Sequence, residues 1–401
     1  MKSATAISYE LDNITAAANE LTTQIKGKLP FGKNTVAILH GQPEMEIGEL
    51  SAAIGRELGC QVVGGTTAAG AVLTNEGYHE LAVVLHVLTD DDCLFSAAIS
   101  GSMANSPEEE IENTYQKAYE NLKAQDNDAE PKMVVCVASI MQSIDSDCIL
   151  AKVSDLCGSI PVFGFYAGDD FEFQKQQVYL DGESGGDRVA LLLLSGNVRP
   201  IFQTAHLAGK QALEKRLVTK ARDNVICEIE GKPAFEYIKS FPFIDEGTTS
   251  LFNYQFFVEM QSDEINDGIP VSRALNSFDK ETGEVTCFAH IPENSYIGLL
   301  YCDGNDVAKT SKAGIKDFMD KMKAAESGDY EYSTVLVATC SLRNMFLVDM
   351  KSVEGDIIKE LLPSNLAVSG LYAFGEIAPT SVKKDKAVNR FHNATFTLCA
   401  L

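Results

Sequence analysis

Apolar positions along the chain fall into short runs of strand length, separated by segments with helical spacing. The apolar run at 35–40 predicts a strand. In the next segment, 45–58, apolar residues recur at helical spacing, which predicts a helix that ends before Gly59. A second strand, predicted at 61–64, leads into a glycine-rich turn. Together these elements predict a strand–helix–strand unit that closes with a glycine turn.

The same order of elements returns later in the chain and again near the C-terminus. Equivalent places in the three copies are marked by Gly64, Gly164 and Gly370. The spacing between the last two leaves room for a fourth, decayed copy near residues 210–320. The elements that this pattern predicts are strands at 35–40, 61–64, 133–138, 161–164, 188–194 and 334–340, and helices at 45–58, 107–123, 145–157, 311–325 and 354–362.

These copies predict a mixed α/β (α+β) fold of two domains, each built from related βαβ-plus-hairpin units. Helices are expected to cover the mixed sheets of each unit. A charged stretch at 209–224 separates the two halves of the chain. We therefore predict an N-terminal domain at 1–209, with repeats at about 30–101 and 130–209, and a C-terminal domain at 210–401.

The amino-acid composition argues against several classes of function. The chain has 401 residues, with 33 Lys and Arg against 57 Asp and Glu, and its formal net charge is −24 at pH 7. Because a surface this acidic repels phosphate backbones and anionic lipid headgroups, we expect neither a nucleic-acid nor a membrane partner. No apolar stretch has the length of a membrane span, and the N-terminus has no signal-peptide pattern. With ten dispersed cysteines, these features predict a cytoplasmic protein with free thiols.

Several segments carry a resemblance to a known family. Residues 368–377, followed by 391–395, resemble the hallmark of the FIST C domain, and 340–343 resembles the cysteine-to-arginine segment that precedes it. Residues 63–68 and 162–170 resemble the two glycine turns of the FIST N domain. The resemblance extends over nearly the whole chain, and the sequence is identified as that of a FIST domain protein.

The resemblance implies a sensory protein that binds a small ligand, of an amino-acid-like kind, in intracellular signal transduction. FIST proteins of this kind act through a signalling partner, such as a histidine kinase, a chemoreceptor or a cyclic-dinucleotide enzyme. The sequence shows no output segment of that type beside the FIST regions, so the partner is expected to be a separate protein.

Candidate ligand-binding residues lie in the C-terminal motifs. Arg343 follows a buried-looking strand and can bind a carboxylate through two parallel hydrogen bonds. Glu376 could accept hydrogen bonds from a ligand ammonium, and Tyr372 offers an apolar wall with a hydroxyl tip. Ends of parallel strands share a crevice, which places these residues at one site. The predicted ligand-binding set is Cys340, Arg343, Tyr372, Gly375, Glu376 and Asn393.

Structural interpretations stand beside these roles. Arg343 and Glu376 could pair with each other, and Asn393 could hold a local backbone turn instead of a ligand. The glycine turns could present free amides to an anionic ligand, or they could be tight turns repeated by common ancestry. A second candidate site at the upstream turns comprises Thr66, Thr67, Tyr166 and Asp169.

An enzymatic alternative rests on Cys340 and His392. As a thiol–imidazole pair, with Arg343 lowering the pKa of the thiol, they would make a cysteine-dependent hydrolase or transferase. A third alternative is a ligand-independent adaptor that binds protein partners.

The G-x-S-x-G match at 182–186 lies in a predicted hairpin, not at a nucleophile elbow. Neither a P-loop nor a zinc spacing of histidines occurs, so we expect no enzyme activity, no metal and no cofactor.

Overall fold

The computed structural model has a mixed α/β fold, as predicted from the sequence, and its strands form four sheets. Helices make up 28% of the chain and strands 40%, so sheets provide the framework. The structure describes residues 1–140, 146–158, 160–241, 244, 251, 256–261, 271–326, 330–383 and 386–401.

Three units share one order of elements: strand, helix, strand, helix, strand, hairpin and strand. The first unit consists of β1 (Lys2–Ser8), α1 (Ile14–Lys28), β2 (Asn34–Gly41), α2 (Ile47–Leu58), β3 (Gln61–Thr66), β4 (Ala71–Thr74), β5 (Gly77–Glu80) and β6 (Val83–Asp90). The second unit consists of β7 (Leu94–Ile99), α3 (Pro107–Gln125), β8 (Pro131–Ser139), α4 (Ser146–Cys157), β9 (Val162–Ala167), β10 (Val178–Leu180), β11 (Glu183–Gly185) and β12 (Val189–Ser195).

The third unit begins with β13 (Ile201–His206) and is interrupted by an inserted sheet. This sheet and its short helix comprise β14 (Lys210–Gln211), β15 (Arg216–Arg222), β16 (Val225–Ile229), β17 (Lys232–Pro233), α5 (Ala234–Ile238), β18 (Phe256–Gln261), β19 (Val271–Arg273), β20 (Leu275–Phe278), β21 (Val285–Cys287) and β22 (Tyr296–Tyr301). The unit then resumes with α6 (Gly304–Ala325), β23 (Thr334–Cys340), a short additional helix α7 (Ser341–Phe346), α8 (Val353–Leu361), β24 (Ala367–Ala373), β25 (Gly375–Lys383), β26 (Lys386–His392) and β27 (Thr395–Ala400).

Each unit builds a sheet with the same strand order. In the first sheet β1, β6, β2 and β3 lie side by side, and β2 is parallel to β3. The second sheet repeats this order as β7, β12, β8 and β9, and the third as β13, β27, β23 and β24. The internal repeat predicted from the sequence is therefore confirmed, in three copies.

The hairpin of each unit completes the sheet of another unit. Hairpin β4–β5 of the first unit joins the third sheet beside β24, and β10–β11 of the second unit joins the first sheet beside β3. Hairpin β25–β26 of the third unit joins the second sheet beside β9. Every unit gives one hairpin and receives one, an arrangement that we call the hairpin exchange.

A ring of three backbone hydrogen bonds joins the units where the hairpins cross over. In each bond, an amide just after one parallel strand donates to a carbonyl in the equivalent strand of another unit. The bonds run from Ala68 N to Tyr372 O, from Gly168 N to Thr66 O and from Phe374 N to Tyr166 O, at 2.7, 2.8 and 3.0 Å. This three-bond ring closes the hairpin exchange.

The repeated glycines allow parallel strands to approach closely. A Cβ on Gly64 or Gly164 would collide with the carbonyl oxygen of Leu39 or Cys136 on the neighbouring strand. Gly370 occupies the equivalent place, opposite Val337. None of the three has a positive φ, so close approach, and not a left-handed turn, requires glycine here.

Two helices cover the outer face of each sheet, and the inner faces share one core. Apolar faces of α1 and α2 pack on the first sheet, α3 and α4 on the second, and α6 and α8 on the third. Between the sheets, Ile38, Val135 and Leu336, one from each unit, belong to the same buried cluster. The core therefore needs all three units.

The expectation of a fourth copy near 210–320 is wrong. Every strand pair described between Lys210 and Tyr301 is antiparallel, so the described part of this region forms no βαβ unit of the repeated kind. Its two ends lie together, because Lys210 pairs with Tyr301. The inserted sheet is thus an insertion in the third unit, and the chain leaves and re-enters that unit at adjacent positions.

The other predicted elements match the structure within a few residues, except for the start of helix α6. The predictions omit β1 and α1, although Asn13 caps α1 by accepting a hydrogen bond from Ala16 N. Helix α6 starts well before residue 311, at Gly304, behind a capping box formed by Asp303 and Asp306. Position 145, the predicted start of α4, lies outside the described residues.

The predicted boundary between residues 209 and 210 stays a prediction. Strand pairing crosses it in two sheets, because the third sheet holds β4, β5 and β13 and the second sheet holds β25 and β26. The two halves of the sequence therefore share sheets as well as a core.

Candidate ligand-binding site

Cys340, Glu376 and Asn393 meet where the third unit turns from β26 into β27. Glu376 is fully buried on β25, and its Oε2 accepts hydrogen bonds from Thr395 N at 3.2 Å and from Thr395 Oγ1 at 2.7 Å. Among the residues that the structure describes, none donates a hydrogen bond of ordinary geometry to its Oε1. The structure therefore buries a carboxyl group with one oxygen unsatisfied, which is uncommon in native proteins.

Burial raises the pKa of Glu376 to about 8, although Thr395, the Cys340 thiol and the more distant Arg343 favour the charged form. Near pH 7 the carboxyl group therefore holds a proton in the folded protein. In the unfolded chain it loses that proton above its ordinary pKa of 4.5. The group thus has different charge states in the folded and unfolded proteins across the whole window from 4.5 to 8.

This difference predicts a pH effect on stability. Between the two pKa values the folded state binds the extra proton, so raising the pH stabilises the unfolded state relative to the folded one. We expect the contribution of Glu376 to the free energy of unfolding to fall by about 1.4 kcal/mol from pH 6 to pH 7. Urea unfolding of the wild type and of Glu376→Gln at both pH values measures it as the change in their difference. An unchanged difference between the two proteins would contradict the raised pKa.

Arg343 lies in α7 with its guanidinium fully buried against another carboxylate. Its Nε donates to Glu354 Oε1 at 3.0 Å, and its Nη2 donates to Ser311 Oγ at 2.7 Å. Thr339 Oγ1 donates to the other oxygen of Glu354 at 3.0 Å. Arg343 thus pairs with Glu354, and not with Glu376 as the structural alternative supposed; its role toward a ligand stays a prediction.

Glu354 is a site residue that the sequence reasoning missed. It lies in α8 at an apolar position of the helical stripe that continues with Ile357, Ile358 and Leu361. An acidic residue on the buried face of a helix needs a cationic or hydrogen-bonding partner. That pattern was the available signal for the ion pair.

Tyr372 and Gly375 have clear structural roles. Tyr372 is fully buried beside Asn344 and Glu354, and its carbonyl belongs to the three-bond ring. A Cβ on Gly375 would collide with the ring of Phe391, so glycine lets that ring pack beneath β25. Their predicted contacts with a ligand stay predictions.

Asn393 connects the core to the inserted sheet. Its Oδ1 accepts a hydrogen bond at 3.3 Å from the backbone amide of Ala274, which lies between β19 and β20. The next residue, Ala394, has a φ of 58°, a left-handed conformation that is uncommon for a residue other than glycine. Arg343 Nη1 approaches the Ala394 carbonyl at 3.5 Å. The turn at residues 393–394 is therefore contacted both by the inserted region, through Ala274, and by Arg343.

Arg273 adds a buried cation that the sequence reasoning also missed. Its side chain extends from the inserted sheet and is 1% exposed, with Nε donating to His290 O at 3.0 Å and Nη1 to Phe391 O at 3.4 Å. Within the described part of the chain, the carboxylate oxygen that lies closest to Nη2 is Asp147 Oδ1, at 3.9 Å. Its position in the largely apolar stretch 271–275 was the available signal.

Arg273 and Glu376 approach the same strand. Phe391, whose carbonyl Arg273 contacts, directly precedes His392, and His392 is the register partner of Glu376 in the β25–β26 pair. A buried cation and a buried carboxyl group thus lie around one end of β26. A cation beside a carboxyl group that can give up its proton to a ligand ammonium suits a small zwitterion.

Aromatic rings from three parts of the chain stack beside this end of β26. Phe173 of the loop after β9 stacks on Phe374 with ring centroids 4.5 Å apart, and on Phe288 of the inserted region at 5.9 Å. Phe171 and Phe173 both have positive φ values, of 64° and 56°. Such strain concentrates at functional sites.

Both halves of the chain match known domains. The FIST N domain matches residues 35–232, and the FIST C domain matches residues 236–379. The chain belongs to the FIST family. FIST domains are linked to small-ligand sensing in signal transduction. No curated protein matches the chain.

The upstream turns of this FIST protein use their polar groups internally. Thr66 Oγ1 donates to Gly168 O at 2.7 Å, Thr67 Oγ1 donates to the Ala71 carbonyl, and the Tyr166 hydroxyl donates to the Ser146 carbonyl. Asp169 accepts hydrogen bonds from the backbone amides of residues 173–175 and so shapes the loop that carries Phe171 and Phe173. The amides of the three-bond ring are likewise bonded within the protein. A ligand at this second candidate site stays a prediction.

Cys340 and His392 do not have the electrostatics of a nucleophile and its base. Burial and the nearby Glu376 raise the pKa of the Cys340 thiol well above its ordinary value. Burial also lowers the pKa of His392, whose Nε2 contacts Ala378 O at 3.1 Å. Within the described part of the chain no hydrogen bond joins the two side chains. FIST domains are sensory rather than catalytic, which fits the prediction that the protein is not an enzyme.

Among the described residues, no helix combines the length and the apolar character that crossing a membrane requires. All ten cysteines are free thiols, and eight of them are buried. The predicted G-x-S-x-G hairpin is also observed, since Ser184 lies in β11 and pairs with Tyr179 of β10. It forms no strand-to-helix elbow.

Proposed function

We propose that this FIST protein senses an amino-acid-like metabolite that binds between the inserted sheet and the third unit. The observation that carries the proposal is the buried carboxyl group of Glu376, which has one unpartnered oxygen and a pKa raised to about 8. A buried polar group without a partner costs free energy, and a ligand that satisfies it recovers that cost. Strongly shifted groups of this kind concentrate at functional sites.

In this proposal, Glu376 binds the ammonium group of the ligand and Arg273 binds its carboxylate. Arg273 takes the role because its Nη2 faces a carboxylate only at 3.9 Å, whereas Arg343 already contacts Glu354. The stacked rings of Phe173 and Phe374 would enclose the aliphatic part of the ligand. Arg343 acts as a positioning residue through its contact with the Ala394 carbonyl.

A ligand ammonium beside Glu376 would favour the ionised carboxylate, so binding should release a proton. Because the pKa of Glu376 is about 8, almost one proton per ligand is expected at pH 7. Isothermal titration calorimetry of the proteinogenic amino acids, repeated in buffers of different ionisation enthalpy, counts the released protons. Glu376→Gln should reduce that count to nearly zero.

The ligand set and a second variant provide the controls. N-acetylated amino acids lack the ammonium group and should bind weakly and without proton release. Arg273→Met should weaken binding of the free amino acid by about 1.5–3 kcal/mol, the usual contribution of a hydrogen bond to a charged group. Arg56→Met, an exposed arginine on α2, should leave it unchanged. If no amino acid binds, or if one binds with no proton release, the proposal fails.

Signalling would pass to a separate partner through the junction that the ligand closes. The ligand would contact both the inserted sheet and the core, so binding would favour one placement of the inserted sheet on the third unit. A histidine kinase, a chemoreceptor or a cyclic-dinucleotide enzyme is the class of partner that the family resemblance suggests. The ten free thiols favour a reducing compartment, such as the cytoplasm, for this activity.

A further inference from the structure

A cavity lies at the free edge of the third sheet, and its lining shares no residue with the proposed amino-acid site. We call it the edge groove. It is bounded by β13, by the C-terminal end of α6 and by the middle of β25, and it has a volume of about 520 Å³. Small-molecule sites in proteins commonly fall between about 300 and 1,000 Å³. The edge groove is therefore large enough for a metabolite of six to ten non-hydrogen atoms or more.

Four buried polar atoms of the residues that line the edge groove have no hydrogen-bond partner in the described part of the chain. They belong to four different side chains, and all are neutral donors or acceptors: Gln203 Oε1, Thr204 Oγ1, His206 Nδ1 and Ser381 Oγ. A native protein rarely leaves buried polar atoms unpaired. Rotation of these side chains toward the groove would let the four atoms bond to several ligand hydroxyl groups.

Ser381 follows a distortion in β25. The register of β25 against β26 shifts between Pro379 and Ser381, so Thr380 is an extra residue there. Bulges of this kind redirect side chains and occur often beside functional sites. The irregular strand thus turns residues 379–381 toward the edge groove.

Lys321 supplies the charge of the edge groove. Its Nζ donates to Phe202 O at 3.1 Å, which leaves further donors of the ammonium group for a ligand. It is the only Lys, Arg, Asp or Glu among the lining residues that the structure describes. Burial lowers the pKa of His206 to about 4, so His206 is neutral near pH 7 and adds no second charge.

We propose that the edge groove is a second ligand site, for a small hydroxylated monocarboxylic acid of the sugar-acid class. The single ammonium of Lys321 matches one carboxylate, and the neutral lining atoms match hydroxyl groups. This inference goes beyond the proposed function, since it concerns different residues and a different ligand chemistry.

The two sites adjoin through a pair of histidines. The ring of His206 packs edge-on against His392 with centroids 5.3 Å apart, and His392 is the register partner of Glu376. A ligand that bonds to His206 would thus contact the side chain next to the proposed amino-acid site.

Calorimetric titration with D-gluconate tests the edge groove. Sorbitol, which keeps the hydroxyl groups without the charge, and hexanoate, which keeps the charge without the hydroxyl groups, are the matched ligands. Gluconate should bind saturably in the millimolar range or below, and at least about tenfold more tightly than either comparison compound. Equal binding of hexanoate, or no saturable binding of gluconate, would overturn the proposal.

Variants locate the binding. Lys321→Met should weaken gluconate binding about tenfold or more, while Lys316→Met, the same change at an exposed position of α6 outside the cavity, should not alter it. Thr204→Val removes one lining hydroxyl and should weaken gluconate but not hexanoate. Glu376→Gln should leave gluconate binding intact, which separates this site from the amino-acid site. Circular dichroism melts confirm that each variant is folded, and equal gluconate affinity in wild type and Lys321→Met would refute the assignment.

Discussion

Replacing Arg343 with methionine is expected to lower the free energy of unfolding by about 3–5 kcal/mol. The change leaves the carboxylate of Glu354 buried without its cation, although Ser311 and Thr339 still donate to it. Removing one partner of a fully buried ion pair costs more than the pair contributes, because the remaining charge stays desolvated. Equilibrium unfolding in urea, followed by circular dichroism, measures the loss.

An exposed ion pair that also involves α8 provides the control. Lys312 Nζ lies 3.1 Å from Glu360 Oε1, with both side chains about half exposed, and it joins α6 to α8. Lys312→Met should cost less than about 1 kcal/mol. The double variant Arg343→Met/Glu354→Gln should recover much of the lost stability, since it removes both charges. If Arg343→Met and Lys312→Met lowered the free energy of unfolding equally, burial would not increase the contribution of the Arg343–Glu354 pair.

Cutting the chain between residues 209 and 210 is expected to abolish folding of both fragments. Fragment 1–209 keeps β4–β5 without the third sheet that they complete, and its second sheet lacks β25–β26. Fragment 210–401 lacks the strands that flank β27 and β24. Both fragments would therefore expose unpaired strand edges and half of a shared core. Size-exclusion chromatography and thermal melts should show aggregated or non-cooperative fragments, and mixing the fragments during refolding should restore a cooperative transition.

The control removes a long segment of chain without breaking the hairpin exchange. Deleting residues 210–301 and joining Gly209 to Cys302 through a short glycine linker is feasible because Lys210 and Tyr301 are paired neighbours. This protein should keep a cooperative melt, since all three sheets of the repeated units remain. It should also lose the amino-acid binding proposed above, because Arg273 is gone. A cooperative melt of fragment 1–209 alone would contradict the structural dependence of the units on each other.

Local patterns in the sequence predicted the repeated elements well, because each buried strand and helix has its own periodicity. The strand predicted at 35–40 is observed at Asn34–Gly41, and the helix predicted at 45–58 at Ile47–Leu58. Strand β1 was missed because its buried positions include Ala4 and Ala6, which are too small to give a strong hydrophobic signal. Helix α1 was recognisable, since Ala17, Leu21 and Ile25 recur on one face.

Long-range pairing could not be predicted in the same way. Nothing near β4 indicates that its partner is β24, some three hundred residues away in sequence, because any strand edge of suitable pattern would accept it. Contacts between distant parts of the chain at the candidate site could not be predicted either. Cys340, Glu376 and Asn393 lie close together, but their binding of a ligand stays a prediction. Glu354 reaches Arg343 from another helix, and Arg273 belongs to the insertion. Only the folded chain decides which charges meet.

The cyclic exchange of hairpins has a consequence for how the molecule is built. Three separate copies of one unit, each passing its hairpin to the next, would form a closed domain-swapped trimer, and this chain has that architecture with its protomers joined end to end. Such an assembly has three equivalent crossover corners. Two of them place Gly70 and Asp170 where the third places Glu376, and only the third is covered by an inserted sheet. In a trimer of identical copies all three corners would have the same sequence. Because the three units are joined in one chain, one corner can change its sequence and bury a carboxyl group while the other two keep the original contacts.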